Sequence, residues 1–289
     1  MCGIVGLFAK TEKPQAHLGL HLSQMLDSMA DRGPDSAGVA LYTDEKVDTL
    51  KITVQLDGPS SIDTLDDVNA VHYRGDHGVL HVPLSKYDQV ISSLARLNLR
   101  VVGTGHRMEL FKGVGHPRDV AESFELASMV GTHGLGHTRM ATESAVTIDG
   151  AHPFSTGLDL CLVHNGSLSN HASLRRRLAR EGVHVKTEND SEVAAAYITW
   201  RLGQGLTLRE ALSRALDDLD GFFTFVVGTE AGFGVLRDPI SCKPAVMAET
   251  DDLIAFASEY RALAGLPGIE QAKVWEPEPA QVYFWERAA

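Results

Sequence analysis

The chain opens Met-Cys-Gly-Ile-Val-Gly-Leu-Phe, a run of small, β-branched and apolar residues without a charge. Such a run predicts a short buried strand over Cys2 to Ala9. The N-terminus is therefore core rather than tail, and the rest of the fold has to be built around it. Loss of Met1, usual when the next residue is this small, would leave a thiol and a free α-amine on one residue. An α-amine has a reference pKa of about 7.7–8.0, so Cys2 would carry its own base close to neutral pH. Taken alone, a cysteine here fits a small buried hydrophobe just as well.

Composition narrows the setting. A chain of 289 residues lies near the size, roughly 250–300 residues, at which one hydrophobic core still serves a whole domain, so one large domain is expected. Hydrophobic residues make up 44% and charged residues 22%, the balance of a globular rather than a disordered chain. The 38 acidic and 26 basic residues leave a net charge of −12, which repels phosphate backbones and anionic membrane surfaces. Nucleic acid is not an expected partner. The longest apolar runs, such as Ile4 to Ala9 and Phe222 to Gly228, fall short of the roughly twenty residues of a spanning helix, so no membrane segment is expected. The N-terminus lacks the basic segment and small-residue cleavage site of a secretory signal, and three cysteines without paired spacing make no disulfide framework. A cytoplasmic protein is expected.

Periodicity places the elements. Leu18, Leu22, Met25, Leu26 and Met29 recur at helical spacing and predict a helix from about Ala16 to Ala30, stopped by Gly33-Pro34. Strands are expected at Ser36 to Tyr42, Thr49 to Leu56, Arg100 to Gly103, Thr132 to Arg139 and Leu158 to Val163, with an alternating segment at His72 to Leu84. Helices are expected at about Lys86 to Leu97, Asn170 to Arg180 with Ser169 as its cap, Ser191 to Leu202, and Thr207 to Leu219. Four strand-like segments follow, at Phe222 to Gly228, Gly232 to Arg237, Pro244 to Glu249 and Leu253 to Ser258. Many strands with a few paired helices predict sheets covered by helices.

Several short motifs stand in a fixed order: MCGIVGLF, RGPDSAG at Arg32 to Gly38, GHTRMAT at Gly136 to Thr142, VHNG at Val163 to Gly166, and NDSE at Asn189 to Glu192. RDP at Arg237 to Pro239, KP at Lys243-Pro244 and FASEYRAL at Phe256 to Leu263 extend the series. Together they resemble the class II glutamine amidotransferases. The resemblance covers residues 1–289, with a family-divergent insertion at about 43–129 that matches only around FKGVGHPRDV. It implies the fold of the N-terminal nucleophile hydrolases, an α+β four-layer αββα sandwich.

The same resemblance implies roles. Cys2 is the nucleophile toward the side-chain amide of L-glutamine, and Asn165 and Gly166 supply the oxyanion hole. Arg139 holds the substrate α-carboxylate, for which a planar guanidinium fork suits. Thr142 is a further contact and Asp190 pairs with the α-ammonium. Arg32 and Asp35 support the site. Taken singly, Arg139 fits a surface ion-pair partner, Asn165-Gly166 a hairpin turn, and Asp190 a helix cap. Met140 and Glu143 depart from the family, where several relatives carry an aromatic residue and some a histidine.

The resemblance further implies a glutaminase subunit of a hetero-oligomer, handing ammonia to a synthase subunit similar to glutamate synthase or N-methylglutamate synthase. This chain then carries no cofactor, and a flavin sits in the partner. Two alternatives stay open: an N-terminal-cysteine hydrolase of another amide, and a degenerate glutamine-sensing assembly subunit. No metal is expected, because the spacing of His72, Asp76, His77 and His81 belongs to no compact zinc site and their alternation predicts a strand with an exposed polar face. Cys161, within LDLCLV, is expected to pack in the interior, and Arg175-Arg176-Arg177 to be a solvated helix face.

Overall fold

A strand with apolar residues on both faces must lie at the centre of a sheet that is covered on both sides. In the computed structural model, which describes residues 2–56, 58, 62, 65–141 and 146–287, Gly3–Ala9 is such a strand, buried at every position. Burying Ile4, Val5, Leu7 and Phe8 stabilises the fold by about 1.5–3 kcal/mol per side chain. The strand pairs antiparallel with Leu253–Ala257 on one side and His133–Arg139 on the other. Ser36–Tyr42, Met108–Val114, Val246–Glu249 and Lys273–Trp275 complete a seven-stranded sheet. A second, five-stranded antiparallel sheet runs Val282–Glu286, Gly232–Arg237, Gly221–Thr229, Leu160–Leu168, Phe154–Gly157.

Side-chain alternation then decides the layers. Ile4 and Phe8 point with Val163, Val226, Phe233 and Phe256 into the space between the two sheets. Val5, Leu7, Val39 and Leu41 point outward onto Leu18, Leu22, Met25 and Leu26 of the Leu18–Ser28 helix. On the far side, Leu160, Leu162, Phe223, Phe225 and Val227 meet the helices His171–Arg180, Asp190–Gly203 and Leu208–Asp218. The result is the expected αββα sandwich.

The stretch 43–129 divides in two. Ala70–Arg74, His77–Pro83, Thr49–Gln55 and Arg100–Gly105 form a separate four-stranded sheet, covered by the Tyr87–Arg96 helix over its own core of Ile52, Val54, Leu80, Val82, Val90 and Leu94. Met108–Val114, by contrast, is an edge strand of the seven-stranded sheet, and Pro117–Ser123 packs on its outer face. The segment 108–123 therefore belongs to the sandwich.

Other expectations change in detail. The helix at 16–30 is two pieces, Leu18–Ser28 and the turn Ala30–Arg32, preceded by a short helix at Glu12–Gln15. Residues 72–84 form a hairpin, with turning residues Gly75 and Asp76, rather than one strand. Its polar residues are only partly exposed: His72 and Asp76 face solvent, whereas His77 and His81 are buried, and four residues of strand, about 13 Å, separate those two. Asn170, not Ser169, stands at the helix N-cap, and its side chain bonds Asp218 and Asp220 rather than the helix. The strands at Phe154–Gly157, Lys273–Trp275 and Val282–Glu286 are too short or too mixed to show as period-two patterns. Cys161 packs in the interior beside the Tyr42 hydroxyl at 3.3 Å, and burial pushes its thiol up to about 12. Among the described residues no helix is long and apolar enough to cross a membrane.

Candidate active site

Cys2 is half-buried at the outer end of the central strand. The next residue has to be glycine, because a Cβ at Gly3 would lie 2.8 Å from both Met29 Cβ and Thr138 Oγ1. This close approach draws Cys2 in beside the end of the His133–Arg139 strand, one register step beyond the Gly3–Thr138 pair. The carbonyl of Cys2 accepts from Arg32 Nε at 2.9 Å and from Asn165 Nδ2 at 3.2 Å. Ile4 N donates to Ser258 Oγ at 2.9 Å and Ile4 O accepts from Ser258 N at 2.9 Å. Cys2 Sγ stands 4.0 Å from the Met140 carbonyl oxygen. Arg32 is buried and pairs with Glu259 at 2.5 Å, and that hydrogen bond holds the Glu259 carboxyl below its usual range.

Asn165 and Gly166 lie within the Leu160–Leu168 strand, paired with Thr224 and Phe223, so the hairpin-turn reading does not hold. Alternation carries Asn165 inward with Cys161 and Val163, toward the Gly3–Ala9 strand. Its amide is fixed at both ends: Nδ2 donates to Cys2 O and Ser258 Oγ, and Oδ1 lies 3.3 Å from His137 Nε2. Gly166 has φ +147°, and a Cβ there would sit 2.0 Å from Phe222 O. Conformation and crowding both require glycine.

Asp190 opens the Asp190–Gly203 helix, where the helix dipole favours a negative charge. The cap is its neighbour Asn189, whose Oδ1 accepts from Ser191 N at 2.9 Å. The Asp190 carboxylate is thereby free of capping duty. It reaches across to the Asn165-Gly166 strand, accepting from Leu168 N at 2.9 Å, and stands 3.8 Å from His164 Nδ1. Arg139 ends its strand buried, which does not fit a surface ion-pair partner. Its carbonyl accepts from Asp35 N at 3.1 Å, and Asp35 Oδ2 accepts from Ala141 N at 2.8 Å, tying down the chain that leaves Arg139. Thr142 and Glu143 lie outside the described residues.

Three buried histidines back the site. His137 stacks on His152 with centroids 4.0 Å apart, and His164 meets Phe225 edge-on at 5.0 Å. Burial pulls His137 down to about 3 and His152 well below the usual imidazole value. It pulls His164 to about 4 although Asp190 acts in the opposite sense. All three are neutral at pH 7. Sequence reasoning gave no role to His137, His164, Ser258 or Glu259, although all four lie inside the motifs. His137 stands two residues before Arg139 and His164 one before Asn165, which was the available signal for those two; Ser258 and Glu259 adjoin no candidate residue. Among the described residues no group of three or more His, Cys, Asp or Glu side chains could hold a metal ion.

The arrangement presents a cysteine at a strand end with the Asn165 amide beside it, and the Asp190 carboxylate hydrogen-bonded to the same strand as Asn165. A thiol beside an amide donor is suited to acyl transfer. Comparison with known proteins agrees. Residues 137–265 match the family described as "Glutamine amidotransferase domain". The "Glutamine amidotransferase-like protein GlxB" of Rhizobium meliloti is 56% identical over 297 residues, covering 99% of this chain and 98% of that protein. A "Putative glutamine amidotransferase" of Methanothermobacter thermautotrophicus is 33% identical, covering 98% and 99%. The solved glutamine phosphoribosylpyrophosphate amidotransferase of B. subtilis superposes with a TM-score of 0.65 at 22% identity, over 99% of this chain and 47% of that one, and shows the shared fold. The chain thus spans about half the length of that solved relative. The protein belongs to the class II glutamine amidotransferases, enzymes of the N-terminal nucleophile hydrolase fold.

Proposed function

We propose that this chain is the glutaminase subunit of a larger synthase, hydrolysing L-glutamine to glutamate and ammonia through a thioester on Cys2. The observation that carries the reading is the convergence of Cys2, the inward-facing Asn165 amide, Gly166 and the Asp190 carboxylate at one end of the two sheets. With Met1 gone, the Cys2 α-amine takes the thiol proton and sulfur attacks the amide carbon. An S–C bond forms, and the carbonyl electron pair moves to oxygen. In the resting site both Asn165 amide hydrogens rest on neutral acceptors, Cys2 O and Ser258 Oγ. An oxyanion is the stronger acceptor and draws one of them. Collapse breaks the C–N bond, the amine returns its proton to the departing nitrogen, and water then hydrolyses the thioester. Arg139 and Asp190 hold the two charged ends of the amino acid, a pair for which an uncharged acyl substrate has no use.

The ammonia passes to a partner subunit resembling glutamate synthase or N-methylglutamate synthase, which carries the flavin. The motif resemblance and the separate 49–105 sheet support this acceptor. Two experiments test the two halves of the reading. A glutamine-mimicking diazo ketone should add mass to the N-terminal peptide, beginning at Cys2, and glutamine should block the addition. Full activity with Met1 still attached would overturn the mechanism. Purification from the native source should bring a flavin-bearing partner with the chain, and a chain that is recovered alone and releases its ammonia freely would overturn the acceptor.

A further inference from the structure

His137 and His164 sit on opposite faces of the same few residues, and their hydrogen bonds lead to different ends of the substrate. His137 Nε2 lies 3.2 Å from His164 O and 3.3 Å from Asn165 Oδ1, two acceptors, so Nε2 carries the proton. This bond holds the Oδ1 end of the Asn165 amide, as Cys2 O and Ser258 Oγ hold its NH₂ end. With Oδ1 held by His137, the NH₂ end must face Cys2 O and Ser258 Oγ, where an oxyanion would form. Without it, the Oδ1 end has no donor among the described residues, and the amide is held toward the oxyanion position by its NH₂ contacts alone.

His164 leads the other way. Its Nδ1 is 2.9 Å from Ser191 Oγ, and that hydroxyl is 3.3 Å from Asp190 Oδ1. A hydroxyl that donates to a carboxylate accepts from the ring, so the chain reads His164 Nδ1–H to Ser191 Oγ–H to Asp190. The other nitrogen, Nε2, is then a lone pair, and it has no partner among the described residues. The ring is held by burial, by Phe225, and by the Gly166 backbone, whose Cβ position lies 2.8 Å from Nε2. Among the described residues no hydrogen bond joins either ring to Cys2 Sγ.

We propose that these two histidines are positioning residues with separable effects, His137 aiming the Asn165 amide at the oxyanion and His164, through Ser191, aiming Asp190 at the substrate α-ammonium. The inference rests on the glutaminase reading above. An interaction made only with the transition state moves kcat, whereas one made equally with bound substrate moves KM. One lost hydrogen bond to a charged or developing charge is worth about tenfold. His137→Leu should therefore lower kcat about tenfold or more with KM nearly unchanged, and His137→Gln, which keeps a donor at the same reach, should restore it. His164→Leu should raise KM for glutamine about tenfold with kcat nearly unchanged, His164→Asn should restore it, and Ser191→Ala should reproduce the loss.

Steady-state ammonia release by the trimmed protein tests this, run with L-glutamine and with glutaramate, the same amide without an α-ammonium. With glutaramate, His164→Leu and the unsubstituted protein should behave alike. Loss of the same parameter in both leucine variants, or an equal loss by His164→Leu on both substrates, overturns the inference. Should a leucine variant not fold, His137→Gln and Ser191→Ala decide: near-normal kcat in the first and raised KM in the second support it, and the reverse sinks it. An unsubstituted protein that releases no ammonia from glutamine overturns the glutaminase reading itself. Normal turnover with no split between the two histidines overturns only this proposal.

Discussion

The sandwich and the smaller sheet at 49–105 are both antiparallel, helix-covered and apolar at the centre, yet only one carries chemistry. The smaller sheet packs Ile52, Val54, Leu80 and Val82 against one helix and leans its other face on Met108–Val114. Its buried Lys51 pairs with Glu109 of the Met108–Val114 strand at 2.9 Å, and its buried His77 and His81 lie far from Cys2 and Asn165 in the chain. In the sandwich the space between the sheets holds polar groups that serve one another across strands: Asn165, His137, Ser258 and the Cys2 carbonyl. Two sheets facing each other bring several distant stretches of chain within hydrogen-bond reach of one another in a single layer. The lesson is that the site belongs to the inter-sheet layer, and substitutions in the two regions should separate activity from stability.

The largest expected effect breaks the comparison at its source. Cys2→Ala should reduce ammonia release to background while leaving the unfolding midpoint nearly unchanged, since the side chain is half-buried at a strand end. Asn165→Ala should come next, lowering kcat by about 10²–10³ as an oxyanion donor is lost, read by steady-state ammonia release. On the other side of the comparison, Leu80→Ala opens a cavity in the smaller core and should cost about 2–5 kcal/mol in denaturant unfolding, with kcat for glutamine retained wherever the protein is folded.

Acid sharpens the same contrast. His133, His137 and His164 are buried in the sandwich and held at about 3, about 3 and about 4, against 6.5 for an exposed imidazole. The unfolded chain therefore binds more protons than the native one between these values, so the stabilisation is complete above about pH 6.5 and is lost as pH falls toward 4 and then 3. Each contributes a slope of about 1.4 kcal/mol per pH unit across its window. Urea unfolding from pH 7 to pH 4 should show falling stability, and a flat profile would contradict the buried neutral histidines. His137→Gln should flatten it by about one proton, the smallest of these effects.

Much of this architecture could be read directly from residue pattern. The all-apolar Gly3–Ala9 strand, the strands at 36–42, 133–139 and 232–237, and the helices near 87–96, 171–180, 190–203 and 208–218 lie close to where periodicity places them. The misses share a cause. Asn165-Gly166 looks like a turn because those residue types tolerate positive φ, but the Gly221–Thr229 strand alongside keeps the chain extended through them. Asn189 and Asp190 are both good helix caps, and only the structure shows that Asn189 caps the helix while Asp190 reaches Leu168 N. The hairpin at 70–83 and the edge strand at 108–114 depend on which sheet each strand joins, a choice that alternation does not encode.

The sequence by itself determined the elements and the kinds of group available: a thiol one residue from the start, an amide next to a glycine, a guanidinium at a strand end, a carboxylate beside a capping asparagine. Those follow from local spacing and side-chain chemistry. Only the tertiary structure decided that His137 Nε2 meets Asn165 Oδ1 and that His164 Nδ1 meets the Ser191 hydroxyl beside Asp190. Hydrogen bonds between strands far apart in the chain depend on register and on the facing of two sheets, and neither is a property of any single segment.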